Sequence, residues 1–394
     1  MLEGARRRVG LVLSRNFILL VLFALVFFIL YFWRLGNLTA GLSPAEVYAH
    51  DSSSTFSAIF SNPLNLPHKI LQHVSIGFKD NSLFLRLPSA IFGVGFLTCL
   101  YLLLRSWFGR VVGLLAALMF ISTPWIILLA RTASPDIMFF SPIIIFLAYS
   151  WLIRTRNNQQ LAWFALVLAV ATCLYTPGLV WVLSVFVIFG AKHLIKVASG
   201  VKKSTHFLSV FTLLLLLSPL IRAFIISPSL INAWLLIPSY WPPIIETLKS
   251  IVWSLLGLFL RLRQPVDVSI GRLPVINLAE VALIIFGVYA LISRLRRVLY
   301  IIAALVFVAV LLAGINRNML IVTLALPAVA LVITAGLRYL YIEWMSIFPR
   351  NPIPKFFALF LIGSVVVAHL YLGYHFSLTA WPNTKNTRET YVLK

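Results

Sequence analysis

The sequence predicts an all-α fold, a polytopic transmembrane bundle of about eleven helices. Hydrophobic residues make up 61% of the 394 residues and charged residues only 11%, and the mean hydropathy is +1.00. Apolar runs of about 18 residues, the length that crosses a bilayer as a helix, recur along the whole chain. The runs are unbroken rather than alternating, so they favour helices over the strands of a transmembrane barrel.

The predicted spans are separated by basic residues and by Pro and Gly. The stretch YTPG at 175–178 separates one pair, and the stretch at 131–135 separates another. The first run follows four arginines but is too long for a typical signal-peptide core, so we expect it to be retained as a helix. The spans are 16–34, 87–104, 111–129, 137–153, 161–175, 178–191, 207–226, 274–292, 298–314, 319–337 and 356–374.

The distribution of charge predicts the orientation. Short loops rich in Arg and Lys alternate with loops that lack them, as the positive-inside rule requires. We therefore expect a multi-pass protein of the plasma membrane with a cytoplasmic N-terminus and an external C-terminus. The net charge of +22 is then explained by cytoplasmic loops and lipid headgroups, and nucleic acid is not an expected partner. Eight of the ten acids fall at or near the outer face.

The chain is expected to form one membrane domain, 1–394, with two long outer loops at 35–86 and 227–272 and a short polar C-terminal tail at 375–394. The stretches STFSAIF and HKILQHVSIGF in the first loop, and IIETLKSIVWSLLGLFLRLR in the second, predict amphipathic helices on the membrane surface. The last stretch is also compatible with a twelfth span. Cys99 and Cys173 both lie in apolar runs, so no disulfide is expected.

Five motifs occur in a characteristic order along the chain. They are GLSPAEVY at 41–48, RLPSA at 86–90, LLARTASPD at 128–136, GRLPVINLAEVALIIFGVYAL at 271–291 and NRNMLIVTLALPAVALVITAGL at 316–337. Each motif is loose by itself. In this order and spacing they resemble the GT-C membrane glycosyltransferases, in the branch of the protein O-mannosyltransferases and the lipid A aminoarabinose transferase.

The resemblance implies a fold and an activity. A GT-C enzyme moves a sugar from a polyprenyl-phosphate carrier to a lipid, glycan or protein acceptor on the outer face, and no cofactor is implied. This chain has Ala45-Glu46 where the family has an Asp-Glu pair in its first loop. Two other interpretations therefore remain: a non-catalytic homologue that binds polyprenyl-phosphate or a partner protein, and a transporter. Helix interiors nearly free of charge disfavour the transporter.

A carboxylate within hydrogen-bond reach of the acceptor hydroxyl would serve as the general base. Glu46 is the first candidate, Asp136 the second and Asp51 the third. Each also has a structural interpretation. Glu46 would be a solvated or helix-end acid, Asp51 a helix N-cap, and Asp136 an ion-pair partner of Arg131.

Cations are expected to stabilise the leaving phosphate, and Arg presents a planar donor fork suited to it. The same side chains at helix ends can instead reach towards lipid headgroups. The phosphate-binding candidates are Lys69, Arg86, Arg131, Arg272 and Arg317.

Three histidines, His50, His68 and His73, share the first outer loop with these acids. Together they could bind a divalent metal, but their spacing matches no standard metal motif. We therefore expect no metal site and interpret the three as polar surface residues.

Overall fold

The structure, a computed structural model, describes residues 21–155, 157–260, 273–347 and 352–393, and all regular elements in these ranges are helices. They are α1 (Val21–Phe32), α2 (Pro44–Ser53), α3 (Phe56–Ser61), α4 (Leu66–Phe78), α5 (Ser82–Phe108), α6 (Arg110–Ile121), α7 (Pro124–Arg131), α8 (Pro135–Arg154), α9 (Gln159–Cys173), α10 (Leu179–Ser199), α11 (Lys203–Ile226), α12 (Ser229–Leu235), α13 (Ile244–Phe259), α14 (Leu278–Arg294), α15 (Arg296–Ile315), α16 (Met319–Ile347), α17 (Pro352–Asn383) and α18 (Lys385–Thr390).

The eleven predicted spans coincide with α1, α5, the pair α6–α7, α8 to α11 and α14 to α17. Within the described ranges, seven helices are long and apolar enough to cross a membrane, and α6 with α7 makes an eighth candidate. Helices α9 and α14 are shorter, with 15 and 17 residues, and α1 is described from Val21 onward. The polytopic helical fold is therefore confirmed, and the chain is an integral membrane protein.

The span predicted at 111–129 is present as a broken pair, in which α6 and α7 meet at a bend of 61°. Pro124 has no N–H, and its ring disfavours the helical conformation at the preceding residue. Thr123 is accordingly extended, with ψ at 120°. The Ser122 hydroxyl donates to the carbonyl oxygens of Leu118 and Met119 at 2.8 Å and 3.0 Å, and the Ser122 N–H also reaches both at 3.2 Å.

This break is held by buried polar groups from α14 and α17. The Thr123 hydroxyl donates to Glu280 Oε1 at 3.1 Å, and Glu280 is placed by a capping box at the start of α14. His369 of α17 bonds the Ser122 hydroxyl through Nδ1 at 2.9 Å, and its Nε2 lies 3.3 Å from Glu280 Oε1. These contacts fix the direction of α7 and of the turn that follows it.

The core lies around α5, α7, α8 and α16, and α16 is almost entirely buried, whereas α10 and α11 expose most of their apolar surface. Helices α14 and α16 pack backbone to backbone at two glycines. A Cβ at Gly287 would lie 2.0 Å from Val332 O, and one at Gly336 would lie 2.0 Å from Leu283 O. Cys99 and Cys173 are free, as the sequence predicts.

The helices predicted in the two long outer loops are present as α3, α4 and α13, and α2 adds a helix that was not predicted. The C-terminal segment is not a loose polar tail. Leu393 and Leu42 exchange backbone hydrogen bonds of 2.7 Å and 3.2 Å, and Tyr391 is buried. The end of the described chain is thereby attached to the segment that precedes α2.

Candidate functional site

Glu46 lies in the first turn of α2, where the sequence favours helix initiation. Ser43 is the N-cap, and Pro44 provides the fixed φ that suits the first helical position. The Ser43 hydroxyl accepts from Glu46 N at 3.3 Å, and Glu46 Oε2 accepts from Ser43 N at 3.2 Å. This reciprocal capping box orients the Glu46 carboxylate inward.

The inward carboxylate meets Arg86, which begins the RLPSA motif in α5. Arg86 Nε donates to Glu46 Oε1 and Nη2 donates to Oε2, each at 2.7 Å. Both side chains are buried, with Glu46 0% and Arg86 2% exposed. The remaining donors of Arg86 bond Leu35 O, Gly41 O and the Thr39 hydroxyl. The guanidinium therefore organises the whole segment between α1 and α2.

Two further contacts join this ion pair to the turn between α7 and α8. Ala133 N donates to Glu46 Oε1 at 3.0 Å. The Gln72 amide of α4 donates to Leu85 O and Ala133 O, both at 3.0 Å, and accepts from the Ser53 hydroxyl at 2.8 Å. Helix α2, the middle of α4, the start of α5 and the turn at 132–134 thus form one hydrogen-bonded frame.

Each Glu46 oxygen accepts two hydrogen bonds, one from Arg86 and one from a backbone N–H. A carboxylate has about four lone-pair sites, so all of them are occupied. The Glu46 carboxylate is therefore fully hydrogen-bonded within the protein, and its catalytic role stays a prediction. Each nitrogen of Arg86, a residue expected to bind phosphate, likewise hydrogen-bonds a protein group.

Helix α4 has the reverse polarity of a surface helix on a soluble protein. Its residues His68, Lys69 and Gln72 are buried, while Val74 is 48% and Phe78 is 78% exposed. A helix whose apolar side faces outward suits contact with lipid. The polar side of α4 is thus turned towards the interior of the bundle. His68 is not the surface histidine expected from the sequence.

Lys69 Nζ donates to Asn62 O at 2.7 Å, and its side chain is only 5% exposed. Burial lowers the pKa of Lys69 to about 8, because an ammonium ion loses hydration there. No carboxylate pairs with Lys69 among the described residues. Lys69 is therefore a buried cation without an anionic partner.

His68 begins a chain of hydrogen bonds that reaches the turn before α8. Its Nε2 lies 2.8 Å from the Ser89 hydroxyl, and Ser89 donates to Ser134 O at 3.2 Å. Ser134 in turn hydrogen-bonds Asp136 through its hydroxyl. Burial and the neighbouring Lys69 lower the pKa of His68 to about 3, so the imidazole is neutral. Asp136 itself is half-buried in the first turn of α8.

Arg131, the last residue of α7, is 3% exposed. Its two terminal nitrogens donate to Leu30 O at 3.0 Å and Trp33 O at 2.7 Å. Within the described residues its Nε has no hydrogen-bond partner. Arg131 therefore caps the C-terminal end of α1, and its buried Nε–H has no partner among the described residues.

Asp51 lies at the wall of an open cavity of about 520 Å³ beside the frame. His50 is placed between two carboxylates, with Nδ1 3.2 Å from Asp51 Oδ1 and Nε2 3.3 Å from Asp80 Oδ1. Thr39 and Leu393 also line this cavity. Asp51 is exposed and lies inside α2, so the N-cap of the following helix is Thr55 instead.

The remaining phosphate-binding candidates lie elsewhere. Arg317 forms an exposed ion pair with Glu246 at 2.5 Å, at a separate cavity of about 320 Å³. Arg272 lies outside the described residues. The expected convergence of Lys69, Arg131 and Arg317 is thus supported by no shared contact, because each has its own partners. Over the described part of the chain, no group of three or more His, Cys, Asp or Glu side chains is arranged to hold a metal ion.

Two features of the site were missed from the sequence. Gln72 carried no motif, and only its position on the polar side of α4 could have indicated a buried role. The C-terminal segment brings Tyr391 against the site, with its ring centre 5.8 Å from Arg86 Cζ. No local sequence signal links that segment to the first loop.

Comparison with known proteins relates part of the chain to one protein family and most of it to solved structures. Residues 70–222 match the family model described as dolichyl-phosphate-mannose-protein mannosyltransferase. No curated protein matches the chain.

Two crystal structures of ArnT from Cupriavidus metallidurans resemble this structure. The apo structure has a TM-score of 0.60 and 14% identity, and covers 94% of this chain and 77% of its own. The structure bound to undecaprenyl phosphate has a TM-score of 0.62 and 15% identity, and covers 92% and 77%. The resemblance to the GT-C membrane glycosyltransferases is therefore confirmed, and the chain has their polytopic helical fold.

Proposed function

We propose that the protein is a membrane glycosyltransferase that moves a sugar from a polyprenyl-phosphate carrier to an acceptor at the external face. The observation that carries this proposal is the frame around Glu46. Its hydrogen bonds to Arg86 and Ala133 join the first loop, which contains Lys69, to the turn that precedes Asp136. The frame thereby connects α4, which carries the buried cation Lys69, to the turn before α8, which carries the Asp136 carboxylate.

Asp136 is the proposed general base. Its carboxylate is half-buried, accepts a hydrogen bond from the Ser134 hydroxyl and lies at the start of α8. Glu46 cannot accept a proton without losing a hydrogen bond to Arg86 or to the backbone. Asp51 is the second candidate, because it faces an open cavity wide enough for an acceptor.

Lys69 is the proposed partner of the carrier phosphate. It is buried without an anionic partner, which is unfavourable for the free protein and is relieved when a phosphate binds. Arg131 is the proposed second cation, since its buried Nε–H has no hydrogen-bond partner within the described part of the chain. The match in fold to a structure that holds undecaprenyl phosphate supports a prenyl-phosphate ligand. The acceptor would be a lipid, a glycan or a protein.

The test is transfer from a polyprenyl-phosphate-linked sugar by the purified, reconstituted protein. Asp136→Asn should lower the rate by about a hundredfold or more while prenyl-phosphate still binds, because only the proton acceptor is lost. Glu389→Gln, which changes an exposed carboxylate that pairs with Lys385 and does not line this cavity, is the control and should retain most activity. Full activity in Asp136→Asn together with loss of activity in Asp51→Asn would identify Asp51 as the general base instead.

A specific observation favours a second function, the binding of prenyl-phosphate without transfer. The family's first-loop Asp is Ala45 here, and the adjacent Glu46 is fully engaged. In that case the wild type would bind prenyl-phosphate without turnover, and Ala45→Asp would create transfer. Measurable transfer by the wild type would reject this second function.

A further inference from the structure

A groove opens at the end of the bundle opposite the frame. Arg86 and Ser106 lie twenty positions apart in α5, which corresponds to about 30 Å of helix. That length equals the hydrocarbon thickness of a bilayer, so Ser106 lies near the membrane surface opposite Glu46. The groove is therefore separate from the proposed site of sugar transfer.

The groove has an aliphatic wall built by α8 and α9. Its volume is about 460 Å³, and Ile144, Leu147, Ala148, Ala165 and Ala169 line it. Small residues on α9 leave room between the helices, and the groove is open at the surface of the bundle. Such a wall provides no hydrogen-bond donors to a polar ligand and suits a hydrocarbon chain.

One end of the groove is polar and held in place. Trp107 Nε1 donates to the Ser150 hydroxyl at 2.7 Å, which fixes the indole. Arg154 packs over that indole, with Cζ 5.0 Å from the ring centre, and hydrogen-bonds Ser106 O. A cation over an aromatic face is stabilised by the ring quadrupole. The guanidinium is therefore positioned at the mouth of the groove.

Most N–H donors of Arg154 have no partner within the described residues. In the described ranges it makes one hydrogen bond to the protein and takes part in none of the ion pairs. A guanidinium carries five N–H groups in a fork that fits two phosphate oxygens. A cation beside an aliphatic groove at a membrane surface is complementary to a lipid with an anionic head.

We propose that this groove binds an anionic glycerophospholipid, with one acyl chain along the α8–α9 wall and the headgroup phosphate at Arg154. Basic pockets between helices at a membrane surface select anionic over zwitterionic lipids. Such a lipid would fill the space between α5, α8 and α9 and stabilise the C-terminal end of α8. Asp136 lies in the first turn of the same helix, at its opposite end.

Native mass spectrometry of the detergent-solubilised full chain tests the proposal, with dioleoylphosphatidylglycerol and dioleoylphosphatidylcholine as probes. The wild type should retain the anionic lipid preferentially. Arg154→Gln should weaken that retention by about tenfold, the effect of losing one charge-assisted contact. Ala165→Phe, which fills the groove and keeps Arg154, should lower retention of both lipids.

Arg110→Gln is the matched control, since Arg110 is an exposed arginine at the same end of the bundle that does not line the groove. It should leave retention unchanged. Equal retention of the two lipids by the wild type, or unchanged retention in Arg154→Gln, would overturn the proposal. An equal loss in Arg110→Gln and Arg154→Gln would show diffuse attraction to the surface instead of a site.

Discussion

Arg86 binds both carboxylate oxygens of Glu46, at 2.7 Å each, although forty residues separate them in the chain. Neither side chain reaches solvent. A buried ion pair of this kind loses most of its hydration, so its worth depends on complete hydrogen bonding. Here every Glu46 lone pair is used, and the pair fixes the first loop against α5.

Glu46→Gln should destabilise the protein, because it leaves the Arg86 charge buried without a counter-ion. We expect a loss of about 3 kcal/mol, seen as a lower melting temperature in detergent. The double variant Glu46→Met with Arg86→Met removes both charges and should recover part of that loss. Glu389→Gln, which breaks an exposed pair with Lys385, is the control and should be neutral. Wild-type stability in Glu46→Gln, with transfer abolished, would restore Glu46 as the base.

Prenyl-phosphate affinity should fall as the pH rises through the pKa of Lys69, which is about 8. Below that pH the ammonium ion binds the phosphate, and above it the neutral amine does not. Between pH 7 and pH 9 the dissociation constant should rise by up to about tenfold in a titration with a fluorescent prenyl-phosphate. Lys69→Gln should bind weakly and without this pH dependence.

Lys79→Gln provides the control for that titration, because Lys79 is an exposed cation of the same loop. It should keep the wild-type pH profile. Folding stability should change with pH in the opposite direction to prenyl-phosphate affinity. The folded pKa lies below the unfolded value, so the charged Lys69 costs stability below pH 8, and the cost disappears as the pH rises towards 10.5. A flat binding profile in the wild type would exclude Lys69 as the phosphate partner.

Both long outer loops should be accessible from one side of the membrane. Ser54 and Ser239 are exposed, whereas Ser53 is buried and unsuitable as a reporter. In a background without Cys99 and Cys173, an impermeant thiol reagent should label Ser54→Cys and Ser239→Cys on intact cells. Ser199→Cys should react only after permeabilisation. Labelling of the two loop positions from opposite sides would reject the proposed orientation.

Gly336→Ala should destabilise the bundle despite the higher helix propensity of Ala. The added Cβ would meet Leu283 O at 2.0 Å, so α14 and α16 would have to move apart. We expect a loss of about 2 kcal/mol, in the range for overpacked cores, in a thermal unfolding assay. Gly363→Ala in α17 has open space and should gain up to about 1 kcal/mol from propensity. Equal effects of the two substitutions would contradict this packing.

The sequence by itself determined the class of fold and the positions of most helices. Long apolar runs specify membrane helices locally, because each must satisfy its own backbone hydrogen bonds in lipid. The breaks around 131–135 and 175–178 were predicted for the same reason, since Pro and Gly act on the chain at their own position. The same rule applied to Pro124 would have predicted the bend at Thr123, but this bend was not predicted.

Only the tertiary structure decided which polar residues act together. Glu46 is three residues from its N-cap, but its other partners lie at Arg86 and Ala133, and no local signal predicts contacts over such separations. The return of Leu393 to Leu42 is of the same kind. Lys69 belongs to a helix predicted to lie on the membrane surface, and only the packing of α4 turns its polar side inward. Apolar patterning determines helices through local energetics, whereas the burial that sets charge and hydrogen bonding depends on how distant helices pack.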